Sequence, residues 1–303
     1  MIVWLLSGTY MVFAQDDLLK MLESNTNPEV NYSTATFKST RILNSHSIER
    51  MQEGQLDFRI SHRFGRLNTG AYNLWGLDQS NVHFSLEYGV TDKIMIGIGR
   101  GTYEKTFDGN LKYSLLRQST GAVKMPVSVS LFASTALNSL HWQDPERTNY
   151  FSSRLSYAYQ VLIARKFNQS ISAQISPTLI HRNLVPTDLD PNDIYALGLG
   201  GRIKLTKRLS LNAEYFYKIN PPNNFPSLET YNPLSIGFDL ETGGHVFQLI
   251  FTNSLAMIEK GFIGETTGKW TRGDIHFGFN ISRVFTVKQK EGHKKAAAAG
   301  GSR

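Results

Sequence analysis

The chain has 303 residues, 41% hydrophobic and 12% aromatic, with no cysteine and a formal charge of +7. That length suits one large β domain or two medium ones, and the missing cysteines exclude a disulfide scaffold, a thiol-ligated zinc or iron–sulfur site, covalent c-type haem and an amino-terminal lipoprotein anchor. Beyond residue 14 no apolar run approaches the roughly 20 residues of a membrane-spanning helix, which excludes a helical membrane protein.

Residues 2–13 are almost wholly apolar, too short to span a bilayer but suited to the core of a secretory signal. Val12-Phe13-Ala14 offers a signal-peptidase site, so residues 1–14 read as a cleaved export signal and Gln15 as the mature start. Residues 15–52 form a loop-rich lead-in that stays outside the main domain or fills it. Asp16 and Asp17 head a possible two-turn helix, where acids suit the helix dipole.

Period-two alternation then takes over, in twelve segments at about 55–64, 81–90, 93–101, 110–117, 126–137, 152–165, 170–182, 194–205, 209–219, 234–241, 246–253 and 274–285. Leu56-Phe58-Ile60 alternates with Asp57-Arg59-Ser61, and Val82-Phe84-Leu86-Tyr88 with His83-Ser85-Glu87. A soluble sandwich and a membrane barrel both alternate in this way. Many of these runs reach the ~9–11 residues a tilted membrane strand needs, against ~6 for sandwich strands. Tight turns at 91–92, 168–169, 207–208 and 242–244 and a modest connection at 119–125 alternate with long loops at 65–80, 138–151, 183–193, 220–233 and 254–273, the brief 102–109 connection excepted. The apolar phase carries almost no ionisable group except near strand ends, as at His62, Arg100, His181 and Arg283, and charge on a lipid face costs roughly 2–4 kcal/mol at the midplane. An even strand number also lets both ends of the chain sit on one side. The expected fold is therefore all-β, a single twelve-stranded antiparallel transmembrane β-barrel of up-and-down topology over residues 53–287. Residues 288–303 concentrate Lys288, Lys290, Lys294, Lys295 and Arg303 against Glu291 and read as a disordered basic tail.

Several stretches resemble an uncharacterised outer-membrane β-barrel family of Bacteroidota: Ile60-Ser61-His62-Arg63-Phe64-Gly65, Gly76-Leu77-Asp78-Gln79-Ser80-Asn81, Leu86-Glu87-Tyr88-Gly89-Val90-Thr91-Asp92, Lys105-Thr106-Phe107-Asp108-Gly109, His245-Val246-Phe247-Gln248 and Gly273-Asp274-Ile275-His276-Phe277-Gly278-Phe279-Asn280. The resemblance covers most of residues 35–287. It implies a barrel in the outer membrane of a Gram-negative cell and, the family having no established activity, carries over no functional residue.

With the polar phase inward, the charged groups facing the lumen are Asp57, Arg59, Arg63, His83, Glu87, Arg202, Lys204, Glu214, Asp239, Glu241 and His276. Basic and acidic strands are neighbours, so cross-strand ion pairs are the simple outcome, and a charged filter is the alternative. Twelve strands close at a backbone radius on the order of 12 Å, so the lumen is a narrow pore at best. The lead-in or the 254–273 loop has room to fill it beside inward glycines such as Gly97, Gly99, Gly200 and Gly237.

No G-x-S-x-G, H-E-x-x-H or phosphate-binding glycine loop is present, and His62 has no outward mid-strand serine partner, so no enzymatic activity is expected. His83, His276 and Glu87 suggest hydrogen-bonded fillers rather than a metal site, and no cofactor is expected. Trp75, Trp142 and Trp270 fall in long loops and suit the bilayer interface, with sugar stacking as the competing role. The expected partners are outer-membrane lipid and other envelope proteins, not nucleic acid. The expected function is a narrow passive channel for small polar solutes; the alternative is a plugged structural or docking barrel in an envelope complex.

Overall fold

The computed structural model describes residues 29–220, 224–225, 227–242 and 244–288. The expected signal at 1–14, the start of the lead-in and the tail from 289 onward lie outside the described residues. Twelve strands form the wall: β1 Gln55–Arg66, β2 Ser80–Gly89, β3 Ile94–Gly101, β4 Phe107–Leu116, β5 Ser128–Leu137, β6 Leu155–Lys166, β7 Ile171–Arg182, β8 Asp193–Lys204, β9 Leu209–Asn220, β10 Leu234–Thr242, β11 His245–Thr252 and β12 His276–Thr286. They run up and down in chain order, antiparallel throughout, and β12 closes on β1.

Side-chain alternation decides which way each strand faces. Across β1–β3 the register aligns Phe58, Leu86 and Ile98 in an outward row, and Ile98 is 64% exposed. One residue along, Asp57, Glu87 and Gly97 align in an inward row, and Glu87 is fully buried. Greasy outside and polar inside is the reverse of a water-soluble barrel. A single methyl has no room at Gly278, where a Cβ would collide with the His62 carbonyl across the closing seam.

Three of the tight turns share one chemistry. Thr91 Oγ1 accepts from the amide of Ile94 at 3.0 Å, Asn168 Oδ1 from Ile171 at 2.8 Å and Thr206 Oγ1 from Leu209 at 3.0 Å. Short Asn and Thr side chains thus replace the ladder partners that a turn removes. Val287 donates to the Gly54 carbonyl at 2.8 Å, which brings β12's end to the start of β1 on this same turn end.

Candidate functional site: the occupied lumen

Two segments enter the lumen, one from each end. Residues 36–49 come from the turn end as a hairpin, with an Arg41–His46 bridge, Ile42 N to Ser45 O at 2.8 Å and Ser47 N to Thr40 O at 2.9 Å. Glu49 Oε1 accepts from Thr36 N at 2.7 Å and ties the base of its two arms. From the long-loop end, residues 254–268 fold inward around one π-helical turn, Lys260–Gly264.

Each segment brings its own hydrophobic core. Phe37, Ile42, Leu43 and Ile48 of the hairpin pack with Phe132, Leu162, Ala164 and Ile250 of the wall. Phe262 and Ile263 of the loop pack with Ala158, Ile180, Ile194, Ala196 and Phe216, the Phe216 and Phe262 rings meeting edge to face at 5.4 Å. Such contacts hold a segment by removing apolar surface from water, and an aqueous pore would have no use for inward Phe and Ile.

The polar contacts explain where the inward charges point. Glu214 accepts from the hairpin amides of Asn44 at 2.9 Å and Ser45 at 3.0 Å, and from the Ser45 hydroxyl at 2.7 Å. Arg63 donates to Asn44 Oδ1 at 2.7 Å, and Arg59 donates to Ser39 and Thr40 hydroxyls, each at 2.8 Å. Arg202 reaches Ser210 at 2.9 Å and the Ala35 carbonyl at 3.3 Å. Glu241 meets Lys38 at 2.6 Å at the rim, and Lys204 is half-buried nearby, opposite Ser210. Asp239 accepts from Gln248 at 2.8 Å, which also donates to the Ile42 carbonyl. His83 pairs with Asp108 at 2.7 Å, whereas His276 bonds the Phe64 carbonyl at 2.8 Å.

The expected cross-strand pairing therefore needs correction. Glu214 does not pair with Arg202 or Lys204 of β8: the register sets it opposite Gly200, its oxygens accept from Asn44 and Ser45 of the hairpin, and Arg202 turns to Ser210 and the Ala35 carbonyl. Asp57 and Arg59, at 2.8 Å, do pair, but within one strand. Sequence reasoning also passed over Lys112. It is fully buried on β4 and donates to the carbonyls of Ser47 and Glu49, both at 2.8 Å, clamping the hairpin's return arm. Its signal was available: it is the one charged residue in the inward phase of the 110–117 segment.

The two plugs meet at a buried charge cluster. Arg41 of the hairpin lies 3.4 Å from Glu259 of the loop and 3.9 Å from Glu87 of β2. His46 stands 3.8 Å from Glu259 and 4.0 Å from Glu87, its ring 4.1 Å from Phe132. Burial, then the Arg41 charge, holds the His46 imidazole well below its ordinary value, so it is neutral at pH 7. Burial also raises the Glu259 carboxyl, against the pull of Arg41.

Above the loop, a vestibule of about 550 Å³ opens toward the long loops. Its floor holds Lys260, 2.5 Å from Glu104 and 3.2 Å from Glu265, with Tyr103 donating to Glu265 at 2.9 Å. Arg154 covers the face of Trp142 at 3.9 Å, so that indole face is taken by a cation rather than by lipid or sugar. Trp75 is 55% exposed, and Trp270 donates to the Leu234 carbonyl at 2.9 Å.

No curated protein sequence matches this chain. Among solved structures, the NanC porin matches at 9% identity and TM-score 0.48, covering 77% of this chain and 100% of the other. An outer membrane channel from Pseudomonas putida F1 matches at 12% identity and TM-score 0.47, covering 78% and 98%. The outer membrane phospholipase A of Escherichia coli also matches, at 13% identity and TM-score 0.39, covering 76% and 88%. That last match overturns the exclusion of enzymatic activity drawn from the sequence: barrels similar to this one include an enzyme. The physical reason is that barrel side chains converge from distant strands, so a missing local motif excludes no catalytic site. On the lipid-side face, His62 stacks on Phe279 at 5.1 Å and leans on Phe64 at 4.2 Å. A family model for a membrane bound beta barrel domain spans residues 37–285, from the first arm of the hairpin to the end of β12. The plug is thus part of the matched domain along with the wall, and this chain belongs to that family of membrane-bound β-barrels, DUF5777.

Proposed function

We propose that this protein is a channel for small polar solutes in the outer membrane of a Gram-negative cell, shut in the state described here by the hairpin and the 254–268 loop. The observation that supports it is the way the lumen is closed. Two separate plugs enter from opposite ends and meet at Arg41 and Glu259, beneath a vestibule wide enough for a small solute. The inner faces of β6 and β7 set the hydroxyl and amide groups of Ser156, Gln160, Gln174 and Thr178 among the apolar Ala158, Leu162 and Ile180. Because the 254–268 loop fills the lumen only in part, withdrawal of the hairpin would leave a narrow conduit of mixed polar and apolar lining.

The test is solute-driven swelling of liposomes carrying the barrel. The intact chain should admit glycine or a pentose slowly, and a chain lacking residues 29–50 should admit both quickly. A second reading, a structural or docking barrel that never opens, draws support from the two apolar cores inside the lumen. An impermeable deletion variant that still shows heat-modifiable gel mobility would refute the channel and favour that reading.

A further inference from the structure

The hairpin has two unlike sides. Toward β8 and β10 it is greasy and tight: a Cβ at Gly200 would collide with Ile42, and one at Gly237 with Leu43. Nearby, Gln248, Asn280 and Gln174 donate to the carbonyls of Ile42, Leu43 and His46 at 2.9, 2.8 and 2.8 Å. Toward β1–β4 the arrangement is different. The register sets Asp57, Glu87, Gly97 and Asn110 side by side, and in the next inward row Arg59, Ser85, Gly99 and Asp108. In this patch Asp57 Oδ1, Arg59 Nε and Nη1, Ser85 Oγ, Asn110 Oδ1 and both ring nitrogens of His46 are buried without a hydrogen-bond partner among the described residues. The wall atoms among them form a contiguous run along two adjacent rows, whereas on the other side Gln174 Oε1 and the Asn212 amide are scattered instances of the same kind. Glu87 stands 3.9 Å from Arg41 and 4.0 Å from His46, too far to hydrogen-bond either.

Buried polar atoms are paired in folded proteins, with water where protein groups fall short. A contiguous patch of such atoms is a place for a file of water rather than a packing fault. The patch also leads somewhere. Asp108 and Glu259 line a cavity of about 10 Å³ together with Ser134, Ser156 and Lys260, close to the size of one water. Ser156 and Lys260 line the vestibule as well. At the other end, Asp57 lies near the start of β1, on the turn side.

We propose that the docked barrel keeps a wet seam between the hairpin and the inner wall of β1–β4, which passes water and small inorganic ions while the plug excludes larger solutes. This rests on the channel reading for its direction across the membrane, but concerns the closed state. Basic and acidic side chains both border the seam: Arg41, Arg59 and Lys112 against Asp57, Glu87 and Glu259. An ion in single file therefore meets alternating partners and no large single-sign field, so the class of permeant is the monovalent inorganic ion rather than an organic anion.

The chain has no cysteine, so an introduced thiol reports without background. Ser85→Cys and Asn110→Cys place it in the seam, and Ala164→Cys and Ile250→Cys on the greasy side. Folded barrels, verified by heat-modifiable mobility, are exposed to a small cationic methanethiosulfonate and weighed over time. Seam thiols should react at least tenfold faster than either greasy-side thiol; equal or slower reaction overturns the seam. In planar bilayers the intact barrel should carry a small steady current that falls at least twofold once Ser85→Cys is labelled. A current untouched by complete labelling, or no current from the intact barrel, overturns ion passage. A hairpin-deleted barrel that admits no solute tells against the channel instead, so the two failures are separable.

Discussion

Leu43→Ala should loosen the hairpin without touching the barrel wall. Leu43 is fully buried against Phe132, Leu162 and Ile250. The substitution removes about three carbons, worth ~0.8 kcal/mol each in transfer from water. The cavity left beside Gly237 adds to that, because the β-wall cannot collapse into it, giving about 3–4 kcal/mol in total. At about 1.4 kcal/mol per tenfold, the undocked population rises roughly 100- to 1000-fold. Hydrogen exchange of the peptide spanning residues 36–49 measures this directly, since the Asn44 and Ser45 amides are held by Glu214 of the wall only while docked. Leu199→Ala, on the outward face, is the control and should leave the hairpin's exchange unchanged. Acceleration of less than about fivefold in Leu43→Ala would refute the idea that the apolar cluster holds the plug.

Further expectations concern charge, pH and the closing seam. Lys38→Ala should speed hairpin exchange by less than about fivefold, because its pair with Glu241 is at the partly exposed rim and such pairs contribute under ~1 kcal/mol. His46 is held below its ordinary value of 6.5 when docked, so the docked state binds fewer protons than the undocked one. The His46 contribution to docking is therefore fully present above that value and is lost as pH falls through it, and His46→Gln, read by the same exchange assay after correction for intrinsic rates, should lose this component. Gly278→Ala should lower the temperature at which the barrel loses its folded gel mobility, by a cost of about 1–3 kcal/mol. Gly201→Ala, where a Cβ meets nothing within 4 Å, should not.

The wall was legible because period-two alternation is strict wherever one face must be polar and the other apolar. The twelve segments read from the sequence coincide with β1 to β12 to within about three residues. The plug was half legible. Both the lead-in and the 254–273 loop stood as ways to fill the lumen, and both do so in part. What alternation hid was the inner lining's own apolar members. Phe132, Leu162, Phe216 and Ile250 sit in the inward phase, inside runs such as Leu131-Phe132, Val161-Leu162-Ile163, Tyr215-Phe216-Tyr217 and Leu249-Ile250-Phe251 that are apolar on both faces. A strand greasy on both sides signals something packed within the barrel. The inward charges were identifiable one by one, yet their partners were not. Glu214 bonds hairpin residues 169 and 170 positions away, a distance over which no local pattern speaks.

The decisive measurement is solute entry through one barrel whose plug can be locked and released. Ile42→Cys with Gly200→Cys joins the hairpin tip to β8, where a Cβ on the glycine would meet the Ile42 side chain that the substitution removes and otherwise only the Gln174 side chain. In liposomes, the oxidised pair should exclude glycine and pentoses, and the reduced pair should admit them at least tenfold faster. Equal entry before and after reduction, or none in either state, would contradict a lumen gated by its own amino-terminal hairpin.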